Sequence, residues 1–215
     1  MKFSRVGFFL SIFGALLFIF AANFTSLLNE DNIDNLLEDT GAYNRLGGDA
    51  EAINHQIIGF ITSEGDVLPE ITERERSHLA DVRDKIKGVS FFKYFGLALF
   101  LFGMYLYMVK GKVKCDDGKK LYVFLFWLGG IGVGIVLISS LLLWVFDSAF
   151  EVFHIVLFDD NWKFPSTSTL IMLYNQEFFF KFFKGYIISL FTNFSVFFLI
   201  GAVVYYINNR TKRKL

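Results

Sequence analysis

Apolar residues in this chain are gathered into four long blocks, 6–24, 91–109, 121–146 and 185–207, separated by stretches rich in charge. Each block is long enough to cross a hydrocarbon core of about 30 Å as a helix. The first block follows Lys2 and Arg5, as a secretion signal would. Its apolar part exceeds the ~7–15 residues of a signal core, and no clear A-x-A cleavage site follows, so a retained span is expected. Lys93, near one end of the second block, can snorkel to the headgroups. The third block contains GGIGVG, Gly129 to Gly134. No strand precedes it, which argues against a phosphate loop; small residues at that spacing suit close helix packing.

Between the blocks the pattern changes. Segment 28–88 carries fourteen acidic and six basic residues and is too long for a plain connection. Helical periodicity appears at 33–37, 51–63 and 71–87, with breaks at Gly47–Gly48 and Glu64–Gly65–Asp66. A small helical cap is expected there. In its last helix Ile71, Leu79, Val82 and Ile86 make one apolar stripe, with His78 at the edge. Segment 147–182 begins with a helix that is apolar almost all round, as in an interfacial or re-entrant element. The fold class expected is thus an all-α membrane protein, four transmembrane helices with an extracellular helical cap. A cytoplasmic loop at 110–120 and a basic tail at 208–215 complete the division.

Composition sharpens this only in part. Hydrophobic residues make up 54% of the 215, with 29 Phe, against ~45–50% in an average soluble domain. The net charge is zero, yet Lys and Arg concentrate before the first span, between the second and third, and after the fourth. Those three segments share one side, which reads as the cytoplasm and places both termini there. The cap and 147–182 then lie outside, on a multi-pass cell-membrane protein. Cys115 is the only cysteine, so no internal disulfide forms. No basic stripe of the kind that binds nucleic acid is present. The spans carry almost no ionisable residues, which disfavours a transporter.

Chemistry is concentrated at the histidines. His78 has Glu75 and Asp81 one turn before and after; His154 has Phe150 and Phe158 one turn away and Glu151 close by. Histidine exchanges a proton near neutral pH, so the pair suggests proton transfer on a lipid-borne substrate. His78 alone also reads as a surface histidine paired with Asp81, and His55 as a packing residue of the cap. Glu75-x-x-His78 is not a zincin motif, and no metal spacing links His78, Asp81, His154 and Asp160. No GxSxG nucleophile motif occurs. One geometric condition follows: were 71–87 to run straight into the second span, His78 would stand about 20 Å from the membrane at ~1.5 Å per residue. The histidines are therefore expected to meet through a bend at Gly88.

Two motifs carry a family resemblance. E-x-x-H-x-x-D-V is present at Glu75, His78, Asp81 and Val82. F-H-x-x-x-F, with the elements after it, is present at Phe153, His154, Phe158, Trp162, Leu170 and Ile171. Over nearly its whole length the chain resembles the lipoprotein intramolecular transacylases, Gram-positive four-span membrane proteins. It departs from their pattern at Phe164, where an acidic residue precedes the proline, and at Asn175, where a second proline stands. The resemblance implies an acyltransferase that moves the sn-2 acyl chain of a diacylglyceryl lipoprotein to the amino group of its N-terminal cysteine, giving the lyso form. It implies that His78 and His154 are catalytic, with Glu75, Asp81 and Glu151 in support. Phe150, Phe158, Trp162 and Tyr174 are expected as pocket walls. His154 as base and His78 as acid is one assignment; the reverse stands beside it. No cofactor or metal is expected, and the partners are the lipoprotein and membrane lipids, with the chain a monomer. The rival readings are an acidic-capped scaffold or sensor and a histidine-dependent hydrolase or intermolecular acyltransferase.

Overall fold

The computed structural model describes residues 2–63, 65–108, 117–158 and 161–212. Asp159, Asp160, Cys115 and the lysines at 110, 112 and 114 lie outside the described residues. Nine α-helices and one 3-10 turn are described: α1 (Lys2–Leu27), α2 (Glu30–Asp39), α3 (Ala42–Leu46), α4 (Ala50–Thr62), α5 (Glu73–Met108), α6 (Asp117–Ser140), the turn Leu141–Leu143, α7 (Phe146–Phe158), α8 (Thr169–Leu173) and α9 (Gln176–Lys212). Four of them, α1, α5, α6 and α9, are long and apolar enough to cross a membrane.

The chain divides into two compact units. The first comprises 1–23, 91–139 and 187–215; the second comprises 24–90 and 140–186. In the first unit α1 and α5 cross at glycines. A Cβ built on Gly14 would stand 2.4 Å from the Phe100 backbone nitrogen, and one on Gly103 would stand 2.4 Å from that of Ser11. Only hydrogen fits at such a crossing, and the close backbones gain the dispersion contact that replaces a hydrophobic drive inside lipid. Gly132 does the same against the ring of Phe194, a fully buried residue of α9. A polar tie reinforces the bundle: Asn23 Oδ1 accepts from Ser189 Oγ at 2.7 Å and Asn193 Nδ2 at 3.0 Å.

The second unit has its own apolar core. Ile33, Leu37, Ile57, Ile58 and Ile61 of α2 and α4 pack with Leu79 and Ile86 of α5 and with Leu170, Leu173 and Phe178. These are the helical stripes seen in the sequence. Asn29 caps α2, its side chain accepting from the Asn32 backbone N–H at 2.9 Å. The start of α5 is a capping box: Thr72 Oγ1 accepts from Glu75 N at 3.3 Å while Glu75 Oε2 accepts from Thr72 N at 2.9 Å.

Two helices run differently from the apolar blocks of the sequence. No helix boundary falls at Gly88; α5 runs through it uninterrupted for 36 residues. A single helical glycine costs only about 1 kcal/mol against alanine, too little to end a helix with good formers on both sides. The third apolar block runs to Phe146, whereas its α-helix ends at Ser140 and α7 begins anew at Phe146. An unbroken apolar run hides that junction, because no Pro or Gly marks it.

Candidate functional site

His154 is the one buried residue of α7, 7% exposed on a helix whose other face is open. The 3.6-residue period explains this. Phe146, Phe150, His154 and Phe158 share one stripe, while Val152, Phe153, Ile155 and Val156 face outward and are more than half exposed. Five rings approach the imidazole: Phe150 at 4.1 Å between centroids, Trp162 at 4.9 Å, its own neighbour Phe153 at 5.3 Å, Phe158 at 5.7 Å and Phe179 at 6.1 Å.

His78 reaches the same cluster from the hydrophilic N-terminal half of α5, outside the helix's apolar stretch. Its ring meets Phe158 at 4.7 Å and Phe164 at 5.4 Å. Phe158 thus touches both histidines. The Arg74 guanidinium lies over the far partner, Phe164, at 5.3 Å.

Hydrogen bonds decide which nitrogens are open. His154 Nδ1 stands 2.8 Å from the Phe150 backbone carbonyl. A carbonyl only accepts, so Nδ1 carries the proton and Nε2 of the neutral ring carries the lone pair. His154 is thus held in one tautomer by a main-chain carbonyl, while His78 Nδ1 is a buried nitrogen without a hydrogen-bond partner.

Burial pushes both histidines below their ordinary 6.5. At His154 the Phe150 carbonyl works weakly the other way. At His78 the Asn161 carbonyl opposes burial, the charge of His154 adds to the depression, and Asp81 is the smallest influence. Both rings thus favour the neutral form, and the assignment that needs a resting imidazolium at His78 has no strong anion to hold it there.

The expected supporting carboxylates are placed elsewhere. Glu75 is 2% exposed, but its oxygens serve Thr72 N, Thr72 Oγ1 at 2.7 Å and the Leu170 backbone N–H at 3.3 Å. It ties the start of α5 to α8 rather than to the imidazole. Glu151 is exposed and faces Lys163 at 3.8 Å. Asp81 accepts from Asn161 Nδ2 at 3.1 Å and acts on His78 only through its charge. Of the expected walls, Phe150, Phe158 and Trp162 surround the histidines. Tyr174 does not: its hydroxyl donates to Asn54 Oδ1 inside the cap, and its ring packs on Phe178 at 5.2 Å. Phe164, Phe179 and Asn161 were not read as part of the site. They arrive from segments with no helical register to either histidine, so periodicity could not flag them.

The third histidine lies in a second polar cluster. Asp34 accepts from His55 Nε2 at 2.8 Å, from Asn54 Nδ2 at 2.8 Å and from the Tyr43 hydroxyl. Among the described residues, Asp34, Glu51 and His55 form the one group whose spacing would suit a metal ion. Both oxygens of Asp34 already accept from protein donors, which leaves it a poor ligand. His78, Asp81 and His154 form no such group among the described residues.

Comparison with known proteins gives this geometry its context. No curated protein matches the sequence. Two solved structures match the fold, both of the membrane integral lipoprotein intramolecular transacylase Lit from Bacillus cereus. One aligns with a TM-score of 0.78 at 16% identity over 99% of this chain and 98% of that one. The other, carrying a histidine-to-arginine mutation, aligns with a TM-score of 0.74 at 16% identity over 97% and 94%. The family model for lipoprotein intramolecular transacylase Lit matches residues 8–179. The chain, a multi-pass membrane protein and an acyltransferase, belongs to the lipoprotein intramolecular transacylase family.

Proposed function

We propose that this enzyme transfers the sn-2 acyl chain of a diacylglyceryl lipoprotein to the amino group of the same lipoprotein's N-terminal cysteine, with His78 and His154 as the acid-base pair. The observation that carries this reading is the pair of neutral-favouring imidazoles on one aromatic cluster, both in contact with Phe158, with the His154 tautomer held by the Phe150 carbonyl.

The chemistry sets the requirements. The C–O bond at sn-2 breaks and a C–N bond forms. The cysteine ammonium must lose two protons; one ends on the departing glyceryl oxygen and the other goes to solvent. An α-ammonium has an ordinary pKa near 8, so a neutral imidazole can remove the first proton at modest cost. His154 Nε2 is suited to that step. After the amine attacks the ester carbonyl, the second proton passes from the tetrahedral nitrogen to the leaving oxygen, and the His78 imidazole can carry it across. In this account His78 becomes the acid only after accepting a proton, in keeping with its depressed pKa. Amine and ester belong to one molecule, so no acyl-enzyme is needed; holding the two ends together supplies proximity worth up to several kcal/mol. Phe150, Phe158, Phe164, Phe179 and Trp162 provide an apolar wall for the substrate and limit competing water. Both termini are assigned to the cytoplasm by the Lys and Arg distribution, and the histidines to the outer side where lipoprotein N-termini emerge.

The deciding experiment is mass spectrometry of lipoprotein N-terminal peptides. The chain is expressed in a Gram-positive host lacking N-acylation, beside H78A and H154A. The expected product carries an acyl chain on the cysteine amine and one on the glyceryl group, at unchanged total mass. Released fatty acid would indicate a hydrolase. Unmodified diacylglyceryl lipoprotein from well-expressed enzyme would overturn the reading.

A further inference from the structure

Two helices bring the histidines together, and one side chain fastens them. Asn161 follows α7 in the chain, its backbone N–H donating to the Phe158 carbonyl at 2.9 Å. Its Nδ2 donates to Asp81 Oδ2 at 3.1 Å and to Ser77 Oγ at 3.4 Å. Ser77 and Asp81 flank His78 on α5, one residue before it and three after. Asn161 thus grips the histidine turn on both sides of His78. Its neighbour Trp162 rests on His154 at 4.9 Å.

We propose that Asn161 is a positioning residue for acyl transfer, stapling the end of α7 to the His78 turn through Asp81 and Ser77 so that the His78 and His154 imidazoles are held at one aromatic cluster for one substrate. The proposal rests on the transacylase reading for its assay, but the staple itself does not depend on which acyl acceptor is used. The amide at 161 supplies the donor that the Asp81 carboxylate, an acceptor only, needs. A carboxylate there would face Asp81 with like charge. Exchanging the two residues keeps one amide and one carboxylate in contact, which gives the test its rescue arm. The charged and titratable groups around His78 are Arg74, Glu75 and Asp81 on its own helix and His154 on α7. Glu75 is held in its capping box, and Lys163, beyond Asn161, faces Glu151.

The full-length enzyme is assayed in detergent on a synthetic diacylglyceryl lipopeptide, with products read by mass spectrometry. N161A and N161D are each expected to lose about tenfold or more in kcat, with KM within about threefold of wild type. The exchange variant N161D/D81N is expected to return within about threefold of wild-type kcat. D81N is expected to move the acid limb of kcat/KM to lower pH, because the anion favouring the His78 imidazolium is gone, and the exchange variant to move it back. Wild-type kcat in N161D would overturn the proposal. So would failure of the exchange variant at an unchanged melting temperature, or loss in every variant that tracks melting temperature with no movement of the acid limb. If wild type releases fatty acid instead of the N-acyl product, the transacylase reading falls, and the same variants are read on fatty acid release.

Discussion

His154 and His55 are both helical histidines in the second unit, and the protein treats them in opposite ways. His154 is buried among rings, with only a main-chain carbonyl for a partner, and its pKa is pushed down by that burial. His55 is partly exposed and bonded to the Asp34 carboxylate, which raises its pKa; burial opposes weakly, and the charges of Asp34, Glu30 and Glu51 add to the rise. A histidine that must take a proton from substrate is useful when neutral with an open nitrogen. One that is already satisfied by a carboxylate is a structural cation. On the proposed assignment, the contrast is one between chemistry and architecture.

The largest expected effect breaks the site side of the comparison. H154A should lower kcat by about 10²- to 10⁴-fold, the usual value of a positioned acid-base group, beyond the fall in melting temperature that truncating a buried ring brings. H78A should do the same in the same assay. Because both rings are depressed, the acid limb of wild-type kcat/KM should lie below pH 6.5. An acid limb above 6.5 would mean that a nearby anion, not burial, controls the pair. Phe158 touches both imidazoles, so F158A should cost about tenfold in kcat by loosening their mutual geometry. Equal loss in V156A, on the exposed face of α7, would show that the ring contact is not the cause.

Much of the site was legible because its core obeys one helical period. Phe150, His154 and Phe158 stand at i, i+4 and i+8, and the aromatic stripe is visible in the letters alone. The four spans are equally plain, being runs of apolar residues that no soluble core of this size needs. What failed were inferences from closeness along the chain. Glu75 sits one turn from His78, but its carboxylate is consumed by Thr72 and Leu170. The T-x-x-E spacing of a capping box was there to be read at Thr72 and Glu75. Tyr174 lies in a motif shared with the site, yet folds inward to Asn54. Asn161 and Phe164 sit in an irregular segment, where spacing carries no information about direction.

The architectural side breaks more gently. D34A removes the common acceptor of Tyr43, Asn54 and His55, and Asn54 is fully buried. A buried amide left without its acceptor costs about 1–3 kcal/mol, so the melting temperature should fall by several degrees. Burial would raise the Asp34 pKa, but hydrogen bonds from Tyr43, His55 and Asn54 and the charge of His55 outweigh it and leave it below 3.8. Its stabilising contribution is therefore present above 3.8 and lost as pH falls through the depressed value. At temperatures well below melting, D34A should retain kcat within about threefold. A hundredfold loss would tie this cluster to catalysis and collapse the distinction.

The smallest effect carries the most informative sign. H55A should cost no more than about 1 kcal/mol, the range for a partly exposed ion pair. The His55 pKa is raised above 6.5 in the folded protein, so the pair's stabilisation is fully present below 6.5 and fades as pH rises through the higher folded value. The melting-temperature gap between wild type and H55A should be wider at pH 5.5 than at pH 9. His154 has the opposite linkage: its folded pKa lies below 6.5, so acid protonates the unfolded chain first and burial of the ring becomes a liability as pH falls. Replacing His154 with phenylalanine, which fits the same aromatic stripe and cannot titrate, should therefore raise the melting temperature relative to wild type at pH 5.5 more than at pH 9. Two histidine replacements with opposite pH slopes in one unit would establish that burial and carboxylate pairing govern them separately. A gap for H55A that does not change with pH would show that its bond to Asp34 is made by the neutral ring.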